Sequence, residues 1–226
     1  MHPVTDFIEV LTQEFKGVAD PNIAVAQEKY MKGKLEYFGL KTPLRREIQK
    51  PFLQKDFLPS KKTMELIVRE LWRLPQRDYQ LVGQELFMKY HKQMEKKDIE
   101  LIEFMLINNS WWDSVDYISV HILSAYFKKF PGEIKHVCVR WMNKDDFWLH
   151  RACLLFQLKW KNDIDTELMS HNIRSLIGSK EFFINKAIGW VLREYSRTNP
   201  EWVIDFVENT ELHTLSKREA LRLIYN

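Results

Sequence analysis

The chain has 226 residues and a formal net charge of +3, with 45% hydrophobic and 29% charged residues, the composition of an ordinary globular protein. A positive excess this small is weak evidence for nucleic-acid binding by itself. Two cysteines are too few for a disulfide framework, and neither a signal-peptide pattern nor an apolar run of membrane-spanning length is present, so we expect a cytoplasmic protein.

Helices are predicted along the whole chain. Only 7 glycines occur, and apolar residues recur three and four apart in stretches such as 64–72. No alternating strand pattern persists. We predict about twelve helices joined by short turns in a single domain, 1–226. Prolines suited to a first helical turn and side chains suited to an N-cap mark predicted helix starts: Pro43, Ser60, Pro75, Asp163, Pro200 and Ser216.

The second half of the chain repeats itself at intervals of 35 residues. Two sets of positions are equivalent: Trp112, Phe147 and Phe182, and then Asp116, Arg151 and Lys186. A period of this length is typical of stacked helix pairs, because each pair must bury its apolar face on the next. The sequence therefore predicts an all-α superhelical solenoid of antiparallel helix pairs. An aromatic and a charged side chain are expected on the same concave face of successive repeats.

Asp116 lies four residues after Trp112, so both side chains project from one side of a helix. A carboxylate beside an indole is costly to bury without a partner, and Arg151 on the next repeat would supply a salt bridge. Alternatively, Trp112 and Asp116 present an aromatic face and a negative charge to a cationic ligand, with Trp190 completing the box. Both interpretations stay open on the residues alone. Trp148 is expected in the core.

Basic residues recur around helix starts and along one helix: Arg151, Lys180, Lys186, Arg193 and Arg197. Such side chains suit the phosphates of a nucleic-acid backbone. For any single one of them a solvated charged surface is the better explanation, but the interleaved aromatic residues favour nucleic acid for the set. The sequence lacks three common catalytic motifs: a Gly-rich phosphate loop, a Gly-x-Ser-x-Gly elbow and a His-Glu-x-x-His helix. None of its 7 histidines lies at a spacing from another that is typical of metal ligands. We expect no metal and no cofactor.

Three segments resemble the AlkD-type bacterial DNA alkylation repair glycosylases: Ser110-Trp-Trp-Asp-Ser-Val-Asp116, Trp148-Leu-His-Arg-Ala152 and Lys180-Glu-Phe-Phe-Ile-Asn-Lys-Ala-Ile-Gly-Trp-Val-Leu-Arg-Glu-Tyr195. The similarity covers nearly the whole chain, from Lys29-Tyr-Met-Lys32 and Gly39-Leu-Lys-Thr-Pro-Leu-Arg-Arg46 to Leu215-Ser-Lys-Arg-Glu-Ala220. The resemblance implies a solenoid of HEAT-like repeats that holds duplex DNA in its concave face. It also implies hydrolysis of the N-glycosidic bond of positively charged purines, such as 3-methyladenine and 7-methylguanine, in base excision repair.

The resemblance assigns roles to particular residues. Asp116 matches the catalytic carboxylate, and Trp112 and Trp190 match the aromatic residues that flank it. Arg151 and Tyr30 match residues that contact DNA. The remaining expected DNA contacts are a phenylalanine pair near that surface and two members of the basic set: Phe182, Phe183, Lys186 and Arg193. We expect the partner to be double-stranded DNA with alkylated bases, and the protein to be a monomer that binds no membrane and works at the bacterial nucleoid.

Two other functions stay open. One is a catalytically inactive DNA-binding relative that recognises distorted DNA by shape and charge. The other is a protein-binding scaffold, a common use of helical repeats, which has no need of an acid between tryptophans. The complete set of Asp116, Trp112, Arg151 and Trp190 favours the glycosylase.

Overall fold

A computed structural model describes residues 3–225 of the chain. Within that range it contains fourteen α-helices, short 3-10 turns and no strand, and one isolated bridge joins Glu36 to Gln76. The prediction of an all-α protein is confirmed. The residues group into two compact units, one ending at Glu95 and the other starting at Lys96.

The first unit contains five α-helices: α1 (Pro3–Gly17), α2 (Pro21–Tyr30), α3 (Thr42–Gln49), α4 (Lys61–Arg73) and α5 (Arg77–Met88). Helix α4 packs on α5, and α1 packs on α3 and α4. Ser60 caps α4 as predicted, since the Thr63 N–H donates to its hydroxyl at 3.2 Å. Pro43 lies in the first turn of α3, also as predicted. The prediction for Pro75 was wrong, because α5 begins only at Arg77.

The second unit contains nine α-helices: α6 (Ile99–Ile107), α7 (Trp112–Tyr117), α8 (Ser124–Lys129), α9 (Ile134–Met142), α10 (Phe147–Leu155), α11 (Thr166–Arg174), α12 (Phe182–Tyr195), α13 (Pro200–Glu208) and α14 (Thr214–Leu221). A π-helical segment, Ile118–Leu123, joins α7 to α8 without a break. Pro200 starts α13 as predicted. The N-cap prediction was wrong for Asp163, because Asp165 caps α11, and for Ser216, because α14 starts earlier, after His213.

Helices of the second unit pack in the order that the repeat predicts. Helix α7 contacts α10, α10 contacts α12, and α12 contacts α14. A second set packs against these helices: α6 on the π-helical segment, α9 and α11 on α10, and α13 on α12 and α14. The equivalent aromatic residues Trp112, Phe147 and Phe182 are the first residues of α7, α10 and α12. The 35-residue register therefore corresponds to one helix start per repeat.

The core of the second unit is apolar and continuous from α10 to α14. Leu155, Ile188 and Val203 are among its buried residues, and Phe147 and Trp190 pack against it while partly exposed. Trp148 is also buried, with 8% of its surface exposed, as predicted. Burial of such side chains is the main favourable contribution to folding, at about 2 kcal/mol each.

Helices α12 and α14 approach each other closely at Gly189. A Cβ at this position would lie 2.5 Å from the Cβ of Glu219 and 3.0 Å from the carbonyl oxygen of Ser216. The Ser216 hydroxyl also donates to the backbone carbonyl of Asn185 at 2.8 Å. The glycine therefore allows the backbones of the two helices to come into contact, which brings Glu219 beside the side chains of α12.

Cys138 and Cys153 are buried free thiols. A hydrogen bond to Cys138, together with burial, raises the pKa of the Cys153 thiol well above its usual value, which disfavours the reactive thiolate. Between residues 3 and 225, no helix is both long and apolar enough to cross a membrane. The same residues contain no cluster of three or more His, Cys, Asp and Glu side chains that could hold a metal ion.

Candidate active site

Asp116 and Arg151 form a two-pronged ion pair between α7 and α10. The Arg151 Nε donates to Asp116 Oδ1 at 2.7 Å, and Nη2 donates to Oδ2 at 3.0 Å. Arg151 Nη1 donates to the backbone carbonyl of Phe183 at the start of α12. The guanidinium therefore joins α7, α10 and α12. The side chain of Arg151 is 5% exposed and that of Asp116 is 18% exposed, so the carboxylate is the member of the pair that solvent reaches.

The ionisation of Asp116 reflects two opposing influences. Burial raises the pKa of its carboxyl above the ordinary value, because the charged form loses solvation. The hydrogen bonds and the positive charge of Arg151 oppose this shift, and the negative charge of Asp113 adds to it. A carboxylate has about four lone-pair positions, so bonds to Arg151 leave others for a water or a ligand.

A cluster of aromatic rings lies next to the guanidinium of Arg151. The ring of Phe183 lies 5.9 Å from the Arg151 Cζ, and it packs edge-on to Trp111 at 5.2 Å and against Trp148 at 5.1 Å. The indole N–H of Trp111 is buried without a hydrogen-bond partner in the part of the chain described. Phe182 extends from this cluster with 58% of its surface exposed. Of the two phenylalanines, Phe183 is therefore part of the packing and Phe182 is available at the surface.

The two tryptophans expected to flank the carboxylate are both partly exposed. Trp112 begins α7 one turn before Asp116, and its partly exposed side chain therefore projects from the same side of the helix. Trp190 is partly exposed on α12 and packs on the apolar core. No side chain caps α7, whose N-cap residue is Trp111. The Ser110 hydroxyl donates to the Leu106 carbonyl.

Lys186 and Arg193 share one carboxylate on α14. The Nζ of Lys186 lies 3.1 Å from Glu219 Oε1, and Nη1 of Arg193 lies 2.5 Å from Oε2. Arg222 is at 4.0 Å. The side chain of Glu219 is only 10% exposed. Burial opposes its ionisation, but the bonds and charges of the three cations are stronger and lower its pKa. Three cations around one carboxylate leave a net positive charge in this cluster.

The charged positions of the repeat therefore form two ion pairs across four helices. Asp116, Arg151 and Lys186 are each the fifth residue of their helix, as the register predicts. The first two pair with each other, and Lys186 pairs with Glu219 of α14. The salt bridge between Asp116 and Arg151, left open on the sequence, is what the structure contains. Contacts of Arg151, Lys186 and Arg193 with DNA stay predictions.

Tyr30 lies apart from these residues in the chain. It ends α2 in the first unit, with 67% of its surface exposed. Its role in DNA contact also stays a prediction.

Sequence reasoning missed two features of this site. Glu219 lies 33 residues after Lys186, inside the Leu215–Ala220 segment, and its near-repeat spacing was the available signal. The π-helical segment that follows Asp116 was also missed. Such segments occur frequently at functional sites, but nothing in the residue pattern indicated it.

The helices and this site define an all-α protein that presents one partly exposed carboxylate, held by a buried arginine, beside aromatic side chains. The family model described as "DNA alkylation repair enzyme" matches residues 11–224. The chain belongs to this family. It is also similar to a solved structure described as "Predicted DNA alkylation repair enzyme from Enterococcus faecalis", with a TM-score of 0.86, 26% sequence identity and coverage of 92% of this chain and 97% of that chain. No curated protein matches the chain.

Proposed function

We propose that this protein is a DNA glycosylase that removes positively charged alkylated purines, such as 3-methyladenine and 7-methylguanine, from duplex DNA by hydrolysis of the N-glycosidic bond. Its membership of the DNA alkylation repair family supports a DNA substrate. The observation that carries the proposal is the carboxylate of Asp116, partly exposed beside Trp112 and fixed by Arg151. We further propose that the helix pairs form a HEAT-like solenoid, and that the protein acts as a monomer in base excision repair.

The proposed chemistry needs one carboxylate. A purine alkylated at N3 or N7 is already cationic, so it leaves as a neutral base without a strong general acid. Positive charge then develops on the deoxyribose, as in the oxocarbenium-like transition state of glycoside hydrolysis. A preorganised carboxylate next to that charge stabilises the transition state more than the ground state, and this difference accelerates the reaction. Asp116 is the residue proposed for this role, and it also has a free lone pair to orient the attacking water.

Arg151 is proposed to act through Asp116. Its two bonds to the carboxylate fix the direction in which the oxygen atoms point, and its third bond ties that arrangement to α12. To contact a phosphate directly, this buried guanidinium would have to share between the phosphate and its present acceptors the N–H groups that now bond Asp116 and the Phe183 carbonyl. Trp112 and Trp190 are proposed to contact the lesion and its sugar. Tyr30, Phe182, Lys186 and Arg193 are proposed DNA contacts.

The direct test is base release from methylated DNA. The purified protein is incubated with duplex DNA that carries 3-methyladenine and 7-methylguanine, with and without EDTA, and the released bases are measured. We expect release at the same rate in EDTA, because the proposed mechanism uses no metal. DNA binding without release would support a catalytically inactive relative. Absence of both would support a protein-binding scaffold.

The excision rate is expected to fall at acid pH. The proposal requires Asp116 to be ionised, and burial raises the pKa of this carboxyl above its ordinary value of about 3.9. The single-turnover rate, corrected for spontaneous depurination, should therefore fall tenfold per pH unit below a midpoint that lies above pH 3.9. The Asp116→Asn variant should lack this decrease. The same decrease in the variant would contradict the assignment of Asp116 as the group that must be ionised.

A further inference from the structure

A second group of basic side chains lies just beyond the C-terminal ends of α10 and α12, the helices that carry Arg151 and Lys186 near their N-terminal ends. Lys159 and Lys161 follow the end of α10, and Arg197 follows the end of α12. With Thr198 and Glu194 they line a cavity of about 300 Å³. Arg197 belongs to the basic set predicted from the sequence, and the two lysines do not.

The cavity contains more positive than negative charge. Lys159 Nζ lies 3.0 Å from Glu194 Oε1, and Arg197 Nε lies 3.6 Å from Glu194 Oε2, so one carboxylate serves two cations. The side chains of Lys159 and Arg197 are 58% and 61% exposed, and Lys161 is exposed as well. Cations at helix C-termini also offset the helix dipole, but that effect needs no shared cavity.

The backbone of Lys161 is unusual. Its φ of 55° lies in the left-handed region, which residues other than Gly, Asn and Asp seldom adopt. Asparagine adopts this conformation more readily than lysine, so Lys161→Asn removes the ammonium group without straining the backbone.

A further cation, from α8, lies near the two lysines. Lys128 of α8 lies 5.5 Å from the ring of Trp160, the residue between the two lysines. Burial lowers the pKa of His121 in the π-helical segment, and the charge of Lys159 lowers it further. The field of Lys159 therefore acts on the segment that continues from Asp116.

We propose that Lys159, Lys161 and Arg197 form a second phosphate-binding site, which holds the backbone of the substrate duplex at a distance from the carboxylate of Asp116. The proposal rests on duplex DNA as the substrate. Arg151 lies in α10 and Lys159 lies four residues beyond the end of that helix, so the second site is past the C-terminal end of the helix whose arginine fixes the carboxylate of Asp116. We expect one duplex to contact both places through different phosphates of its backbone.

The test is the salt dependence of binding to an unmodified, fluorescently labelled duplex, measured by anisotropy. The variant carries Lys159→Ala, Lys161→Asn and Arg197→Ala. Each phosphate contact contributes about 0.9 to the slope of log affinity against log salt, so loss of all three should reduce the slope by about 2.7. Affinity at 0.1 M salt should fall by at least about tenfold. The matched control is Lys135→Ala, an exposed lysine on α9, which should leave slope and affinity unchanged.

The single variants Lys161→Asn and Lys159→Gln keep the test valid if the triple variant is poorly folded. Asparagine accepts a left-handed backbone, so Lys161→Asn should retain the wild-type Tm while its salt slope falls by about 0.9. An unchanged slope in folded variants would overturn the proposal, and so would an equal decrease in Lys135→Ala. Base release by the wild-type protein is a separate readout. Release with unchanged slopes would reject this site alone, and reduced slopes without release would reject the glycosylase alone.

Discussion

Replacement of Asp116 by asparagine is expected to slow base excision by on the order of a hundredfold or more, the effect of removing a preorganised electrostatic group. The amide has nearly the shape of the carboxylate but carries no charge, so it cannot stabilise positive charge on the sugar. Excision should be measured in single turnover with saturating enzyme on 7-methylguanine DNA, so that weaker binding does not enter the rate.

The same variant is expected to lose stability. The side chain of Arg151 is 5% exposed, and the variant removes the carboxylate that neutralises its positive charge. Breaking a buried ion pair from one side costs about 3 kcal/mol or more, although the amide oxygen still accepts one of the two bonds. A slow rate alone would therefore not distinguish a catalytic role from a purely structural one.

A second substitution separates the two roles. In the double variant Asp116→Asn with Arg151→Gln, the buried charge is removed, and the glutamine amide can still donate to the Phe183 carbonyl. We expect a higher Tm than in the single variant but the same slow excision. If excision recovered together with Tm, Asp116 would be only the structural partner of Arg151, and the catalytic assignment would be wrong.

The pairing of Asp116 with Arg151 was accessible from the sequence for a physical reason. Stacked helix pairs bury the same positions in every repeat, so apolar, aromatic and charged residues recur with the length of the repeat. The register therefore predicted that Trp112, Phe147 and Phe182 are equivalent, and each begins a helix. Side chains at equivalent positions on neighbouring helices face each other, and the ion pair follows from this.

Other features depend on packing that the register does not encode. The burial of Arg151 requires the Phe183 carbonyl as a third acceptor, and a backbone atom leaves no trace in a residue pattern. Glu219 lies 33 rather than 35 residues after Lys186 and is the sixth rather than the fifth residue of its helix, so the last repeat departs from the period. The observed N-cap of α11, Asp165, lies two residues after the predicted cap, Asp163, and errors of this size are typical of helix ends predicted from the sequence.

Substitution of Gly189 by alanine is expected to lower Tm by about 4–8 °C. Alanine favours a helix over glycine by about 1 kcal/mol, so the change would be stabilising in an open position. At Gly189 the new Cβ would meet the Cβ of Glu219 at 2.5 Å and the Ser216 carbonyl oxygen at 3.0 Å. Neither atom can rotate away, so α12 and α14 must separate. Overpacking of this kind costs about 3 kcal/mol, which leaves a net loss of about 2 kcal/mol and the stated shift for a chain of this length.

Separation of α12 from α14 also has a consequence at the site. Glu219 holds Lys186 and Arg193 on either side of Trp190, and displacement of α14 lengthens both ion pairs. We therefore expect slower excision by the folded variant, measured well below its Tm. The matched control is Gly17→Ala at the end of α1, where a Cβ meets nothing within 4 Å, and its Tm should stay the same or rise. A Gly189→Ala variant as stable as the wild type would show that α12 and α14 can separate without loss of stability. The close contact at Gly189 would then not be needed to keep Glu219 paired with Lys186 and Arg193.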